Sequence, residues 1–377
     1  MKKNLFGWLA MATMLVGTGC SSDEVVNDYS PENAIQFGTY VGRDAQGRVV
    51  ATTTDNISSF GVFAIYHDDD ATTPVTSPNF MNNQVVHKST STSNSSPQAY
   101  GTGWTYSPIK YWPNEAGDLI DFYAYSPYEL NKSWNNGMVN ISIASDENNQ
   151  IDYLVANAMV NQNKNNTNDQ VTFTFNHALS RVGFKVEAVI DDVNSQQNGN
   201  FADSDNESEA IGDGTTISVQ EVQLIGNFYE SADLNLLNAT WNYENATLYT
   251  TSPIAYTLQS EDFISENAAN VEIGKKQLNN ANSYLMLIPK NFKDNDKIQI
   301  FVKYTVETVD HNITGNVIVE NKIYSGAFNF EFIQGKAYDF VLHLGLESVK
   351  LSANVINWET SPGNTLTDVV VNVPIND

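Results

Sequence analysis

Cysteine is nearly absent: there is one in 377 residues, at position 20. A single thiol excludes an intramolecular disulfide framework and any zinc site built on cysteines. Packing and sheet hydrogen bonds must therefore hold the fold. Basic residues are also few, 19 Lys and Arg against 44 Asp and Glu, for a net charge of −25. No Lys/Arg cluster offsets that field, so a phosphate backbone is repelled and nucleic acid is not an expected partner. Beyond residue 19 no apolar run approaches the ~20 residues that a bilayer-spanning helix needs.

Motifs for chemistry are missing too. There is no Gly-rich phosphate loop, no His-x-x-x-His pair and no Gly-x-Ser-x-Gly elbow. The five histidines (His67, His87, His177, His311, His343) are scattered, and His177, flanked by Phe175 and Leu179, reads as a packed histidine. Asp203-Ser-Asp-Asn-Glu207 resembles the start of a calcium loop, but Ser208 replaces the sixth-position glycine and Gly214 the final glutamate. It reads as a solvated acidic loop. No cofactor, metal or enzymatic activity is expected.

What is present begins with a leader. Lys2 and Lys3 precede an apolar run from Leu5 to Val16, too short to span a membrane and suited to a signal peptide over residues 1–19. The end, Leu15-Val-Gly-Thr-Gly-Cys20, resembles a bacterial lipobox, with Gly17 where leucine is usual. That resemblance implies cleavage before Cys20 and acylation there. Each buried CH₂ then contributes about 0.8 kcal/mol, so two or three acyl chains anchor firmly. A polar tether, 20–32, follows, and its Ser21-Ser-Asp-Glu24 resembles the surface-export signal of Bacteroidetes lipoproteins.

Hydrophobic content of 41% and aromatic content of 11% suffice for substantial cores, and the length suggests about two domains. Period-two alternation dominates. Asn33 to Tyr40 reads as a strand with Ile35, Phe37 and Thr39 on one face. Further strands are expected at Phe60 to Tyr66, around Phe80 and Val85, at Trp104 to Trp112, Leu119 to Tyr125 and Ile151 to Ala156. Beyond the Asn-rich stretch 161–169 they continue through Val171 to His177, Ile217 to Leu224, Ile298 to Val306 and Tyr338 to Leu344, ending at Leu366 to Ile375. Many short strands separated by turn signals predict an all-β chain of two tandem β-sandwiches, 33–168 and 169–377.

An ordered set of motifs then resembles the fimbrillins, the lipoprotein pilin subunits of Bacteroidetes type V pili. The residues carrying it are the lipobox-like end at Cys20, the strand, loop and Arg48 unit, and Phe60-Gly-Val-Phe-Ala-Ile-Tyr66. They continue with Tyr111-Trp-Pro113, Asp121-Phe-Tyr-Ala-Tyr125, Asp152-Tyr-Leu154 with Ala156, Phe175-Asn-His177 with Ala178, Gly335-Lys336 with Tyr338, and Trp358. The resemblance implies transthyretin-like sandwiches, an outer-membrane lipid anchor, other pilus subunits as partners and a trypsin-like maturation protease. It also implies that Asn33 to Tyr40 is removed by cleavage in the following loop, at Arg48 or its competitor Arg43. Leu366 to Ile375 would then be donated to the next subunit, with Val369, Val371 and Val373 filling alternate pockets.

The residues alone leave two other readings open. Leu366 to Ile375 also reads as a self-paired edge strand of its own domain. Trp104 and Trp112, with Tyr106 and Tyr111, read either as sandwich core or as a platform for stacking glycan in a monomeric surface lipoprotein or tip adhesin binding glycan or host protein.

Overall fold

The computed structural model describes residues 33–41, 52, 56–68, 75–89, 103–115, 117–188, 215–258, 263–265, 276–277, 284–310, 316–344, 349–357 and 367–369. Among these the regular structure is almost all β. The first nine strands are β1 (Gln36–Val41), β2 (Ser59–His67), β3 (Met81–Lys88), β4 (Trp104–Thr105), β5 (Leu119–Ser126), β6 (Met138–Ser142), β7 (Leu154–Ala156), β8 (Met159–Gln162) and β9 (Gln170–His177). Eight of them make one sheet, in the order β1-β9-β7-β5-β2-β3-β4, with β8 pairing β5. Its two ends, β1 and β4, lie beside each other, so the sheet curls around a core.

The second half adds β10 (Ser180–Ala188), β11 (Thr215–Gly226), β12 (Tyr229–Asn235), β13 (Thr240–Leu248), β14 (Ile254–Leu258), β15 (Phe263–Ser265), β16 (Lys276–Gln277) and β17 (Leu285–Leu287). After these come β18 (Lys290–Phe292), β19 (Ile298–Asp310), β20 (Asn316–Phe328), β21 (Phe330–Phe332), β22 (Lys336–Leu344), β23 (Val349–Asn357) and β24 (Thr367–Val369). A six-stranded sheet, β16-β10-β22-β23-β24 with β17 on β10, packs on a five-stranded sheet, β14-β11-β19-β20 with β15 on β11. Phe184, Phe340 and Leu342 of the first meet Val222, Ile300 and Tyr324 of the second in one buried cluster. This is a β-sandwich.

The apolar runs of β2 and β5 have a simple cause. Strands buried on both faces lose the polar half of their alternation. Phe60, Val62 and Ala64 point into the first core, with Phe122 and Ala124 of β5. Phe63, Ile65, Tyr123 and Tyr125 point the other way, into a third cluster shared with Val139, Ala232, Leu234 and Met286. That third cluster lies under the small sheet β13-β12-β6.

Two expectations change here. A division at 168/169 would cut β9 from the first sheet, where it sits between β1 and β7, so that sheet runs through His177. The halves are further joined by β6, which pairs antiparallel with β12. The strand expected over Trp104 to Trp112 shrinks to β4, because Pro108 brings no N–H to continue a ladder.

Candidate functional site: the terminal strand and its groove

Alternation places Ile35, Phe37 and Val41 inward, all buried, while Tyr40 is exposed. β1 runs parallel to β9 over its whole length, from Gln36 opposite Gln170 to Val41 opposite Phe175. On its other side, among the described residues, the entry is held. Ile35 N–H donates to Lys110 O and Trp112 N–H to Asn33 O, each at 2.9 Å, and the Tyr106 hydroxyl donates to Ile35 O at 2.9 Å. Among the described strands β1 thus ends the hydrogen-bonded order of its sheet, yet it is central by packing.

Phe37 carries that packing. Its ring meets Tyr106 at 5.3 Å, Phe173 at 5.8 Å (stacked), Phe60 at 6.0 Å and Phe122 at 6.1 Å. Burying a side chain of this size contributes about 1.5–3 kcal/mol, so Ile35, Phe37 and Val41 together contribute roughly 4.5–9 kcal/mol. A whole domain is stable by only about 5–15 kcal/mol. The groove under β1 therefore has to be filled by some strand.

A second feature ties down the chain that follows. Thr52 N–H donates to Asp152 Oδ2 at 2.7 Å across 100 residues. The other oxygen, Asp152 Oδ1, lies 3.0 Å from His177 Nδ1, and both side chains are buried. Asp152 leads into β7 and His177 ends β9, so one carboxylate joins these strands to the chain entering β2. Two of the motifs read separately in the sequence are thus one contact. A cavity of about 470 Å³ opens beside it, lined by Thr52, Asp152, Glu147 and Tyr284 among others.

The fimbrillin-like family model matches residues 47–358. The chain belongs to the fimbrillin-like family. Among solved structures, a fimbrial protein from Bacteroides vulgatus ATCC 8482 superposes with a TM-score of 0.63 at 18% identity, covering 86% of this chain and 99% of that one. At that identity the likeness is one of fold. A candidate cell adhesion protein from Bacteroides uniformis ATCC 8492 gives a TM-score of 0.43 at 15% identity over 86% of this chain and 97% of its own. The tip fimbrial protein Mfa3 from Porphyromonas gingivalis, with a C-terminal truncation, gives 0.33 at 9% over 80% and 94%. These two scores are too low to carry a fold argument. No curated protein matches the chain.

In this fimbrillin-like chain the other predicted site residues fall in different places. Cys20, Arg43, Arg48, Val371 and Val373 lie outside the described residues. The C-terminal stretch is described at Thr367–Val369, where β24 pairs antiparallel with β23 at a sheet edge, Val369 opposite Ala353. Trp104 and Trp112 are corrected: both are buried in the first core, Trp104 against Phe60 at 4.9 Å and Trp112 against Phe122 at 5.9 Å. Neither ring offers a face to a sugar. Their strand position could not reveal this, since the burial depends on β1 and β4 closing the curl. His177 is packed and hydrogen bonded, and among the described residues no group of three His, Cys, Asp or Glu could hold a metal ion.

Proposed function

We propose that this chain is a structural subunit of a cell-surface pilus, exported as a lipoprotein through Cys20 and assembled by strand exchange after proteolysis at Arg48. The observation that carries this reading is β1. It is the first described strand, runs in a parallel ladder beside β9, fills an aromatic groove, and is followed by residues 42–50, which include both Arg43 and Arg48. The family match beginning at residue 47 supports a functional unit that starts after β1.

Loss of β1 leaves an unpaired β9 edge above an open apolar floor, and such an edge templates a partner strand. Leu366 to Ile375 of the next subunit is the proposed occupant, with Val369, Val371 and Val373 entering alternate pockets. Its described part is held at home by three registered pairs, against six for β1. The partners are other pilus subunits, the outer membrane and a trypsin-like protease.

Treating purified precursor with such a protease should give a mature N-terminus at Val49 and a ladder of oligomers. Arg48→Ala should block both, whereas Arg43→Ala should not. Normal maturation and polymerisation of Arg48→Ala would overturn the assignment. The home pairing of β24 favours a second reading, a monomeric surface adhesin. That reading predicts a monomer after cleavage, with residues 366–375 still protected.

A further inference from the structure

Exposed aromatic surface does exist, far in sequence from Trp104 and Trp112. On β13, Trp241 and Tyr243 both line one groove. The Trp241 indole N–H donates to Ala178 O at 2.7 Å, which fixes that ring. Tyr243 stacks on Tyr229 at 5.3 Å with the planes 20° apart, and the Lys290 ammonium lies 4.8 Å from the Tyr229 ring. Lys290 is itself paired with Asp296 at 2.9 Å. Tyr243 nonetheless remains 42% exposed.

Opposite these rings stands the ribbon β18–β21, where Asn291 and Glu331 are registered partners and both are exposed. Neighbouring residues of an antiparallel pair project from the same face. An amide and a carboxylate thus sit side by side, with Gln334 near them, across a groove of about 410 Å³. That volume falls within the range of small-molecule sites, about 300–1,000 Å³.

We propose that this groove binds a neutral oligosaccharide. A sugar ring has an apolar C–H face suited to an aromatic plane and a rim of hydroxyls that both donate and accept. The groove supplies the plane in Tyr243 and Trp241, and the paired acceptors and donors in Glu331, Asn291 and Gln334. Charge selects among sugars. Lys290 is already neutralised, Glu331 faces the groove, and the chain carries −25, so sialylated or sulfated glycans are repelled. Burial and the adjacent Tyr229 push the Tyr243 phenol up to about 12, which keeps the stacking pair uncharged. The inference deepens the adhesive side of the proposed function and depends on neither cleavage nor polymerisation.

The test uses the purified full chain on an array of neutral and acidic glycans, with neutral hits titrated by tryptophan fluorescence. Neutral oligosaccharides should bind with Kd on the order of 0.1–1 mM. Tyr243→Ala should weaken them by about tenfold, Tyr243→Phe should keep them, and the thermal midpoint of both variants should match the parent. An array silent for neutral glycans, equal binding of sialylated ones, or unchanged affinity in Tyr243→Ala would overturn the proposal. So would loss of oligomers in Tyr243→Ala with sugar binding intact, since the groove would then be a subunit contact. A failed Arg48 maturation leaves this outcome untouched, and a silent array leaves the strand exchange untouched.

Discussion

Replacing Phe37 with alanine removes a ring that touches aromatic side chains from β2, β5, β9 and the segment after β4. Truncating a buried phenylalanine costs about 3–5 kcal/mol, transfer and cavity terms together. Denaturant unfolding of the precursor should show a loss of that size, whereas Tyr40→Ala, at an exposed position of the same strand, should stay within about 0.5 kcal/mol. Equal effects at the two positions would mean that β1 is not seated as described. Asp152→Ala acts differently. It deletes the acceptor shared by Thr52 N–H and His177, and each group deprived of its bond costs about 1–3 kcal/mol. Hydrogen exchange at the Thr52 amide should speed up, with no change at the β10–β22 ladder. If Thr52 exchanges at the parent rate, the contact does not anchor the chain there.

At the scale of elements, β1 should behave as a separable part. A chain beginning at Val49 lacks it and retains β9 with an open edge. A synthetic peptide of residues 33–41 should bind that chain and suppress its self-association, read by size-exclusion chromatography. The same peptide with Phe37→Ala should bind far more weakly. A truncated chain that stays monomeric without peptide would argue against an open groove.

The strands that build this groove were legible because their side chains alternate or run apolar. β2, β5 and β9 match their expected spans to within a residue or two. Others were not legible, for definite reasons. β13 has both faces largely exposed or half-exposed, so Thr240 to Leu248 carries no alternation. In β12 only Ala232, Asp233 and Leu234 are buried, too few to register as a period. β20 runs from Asn316 to Phe328, but Glu320, Asn321, Lys322 and Ser325 break its apolar pattern. The contact between Asp152 and His177 was invisible for another reason. Sequence shows each motif but not the fold that brings positions 52, 152 and 177 together. The exposed groove of Tyr243 was missed with β13 itself.

The whole molecule has no disulfide to fall back on, and its cores are rich in tyrosine. Burial, reinforced by Asp121, pushes the Tyr123 phenol up to about 12. Burial does the same for Tyr338, also to about 12, against a hydrogen bond from Ile333 N–H that works the other way. Tyr125, Tyr153 and Tyr256 are raised further, burial again leading. Each of these phenols titrates near 10 once unfolded. Between about pH 10 and 12 the unfolded chain therefore binds fewer protons than the folded one, and stability falls as pH rises. Below pH 10 both states hold the proton and this contribution is complete. Circular dichroism of the full chain should thus show a flat midpoint through neutral pH and a steep loss above pH 10, accompanied by phenolate absorbance. Tyr123→Phe removes one titrating group with only a weak 3.4 Å bond to Asp121. It should make the decline shallower while leaving the neutral midpoint nearly unchanged. A decline equally steep in that variant would place the alkaline sensitivity in groups other than Tyr123.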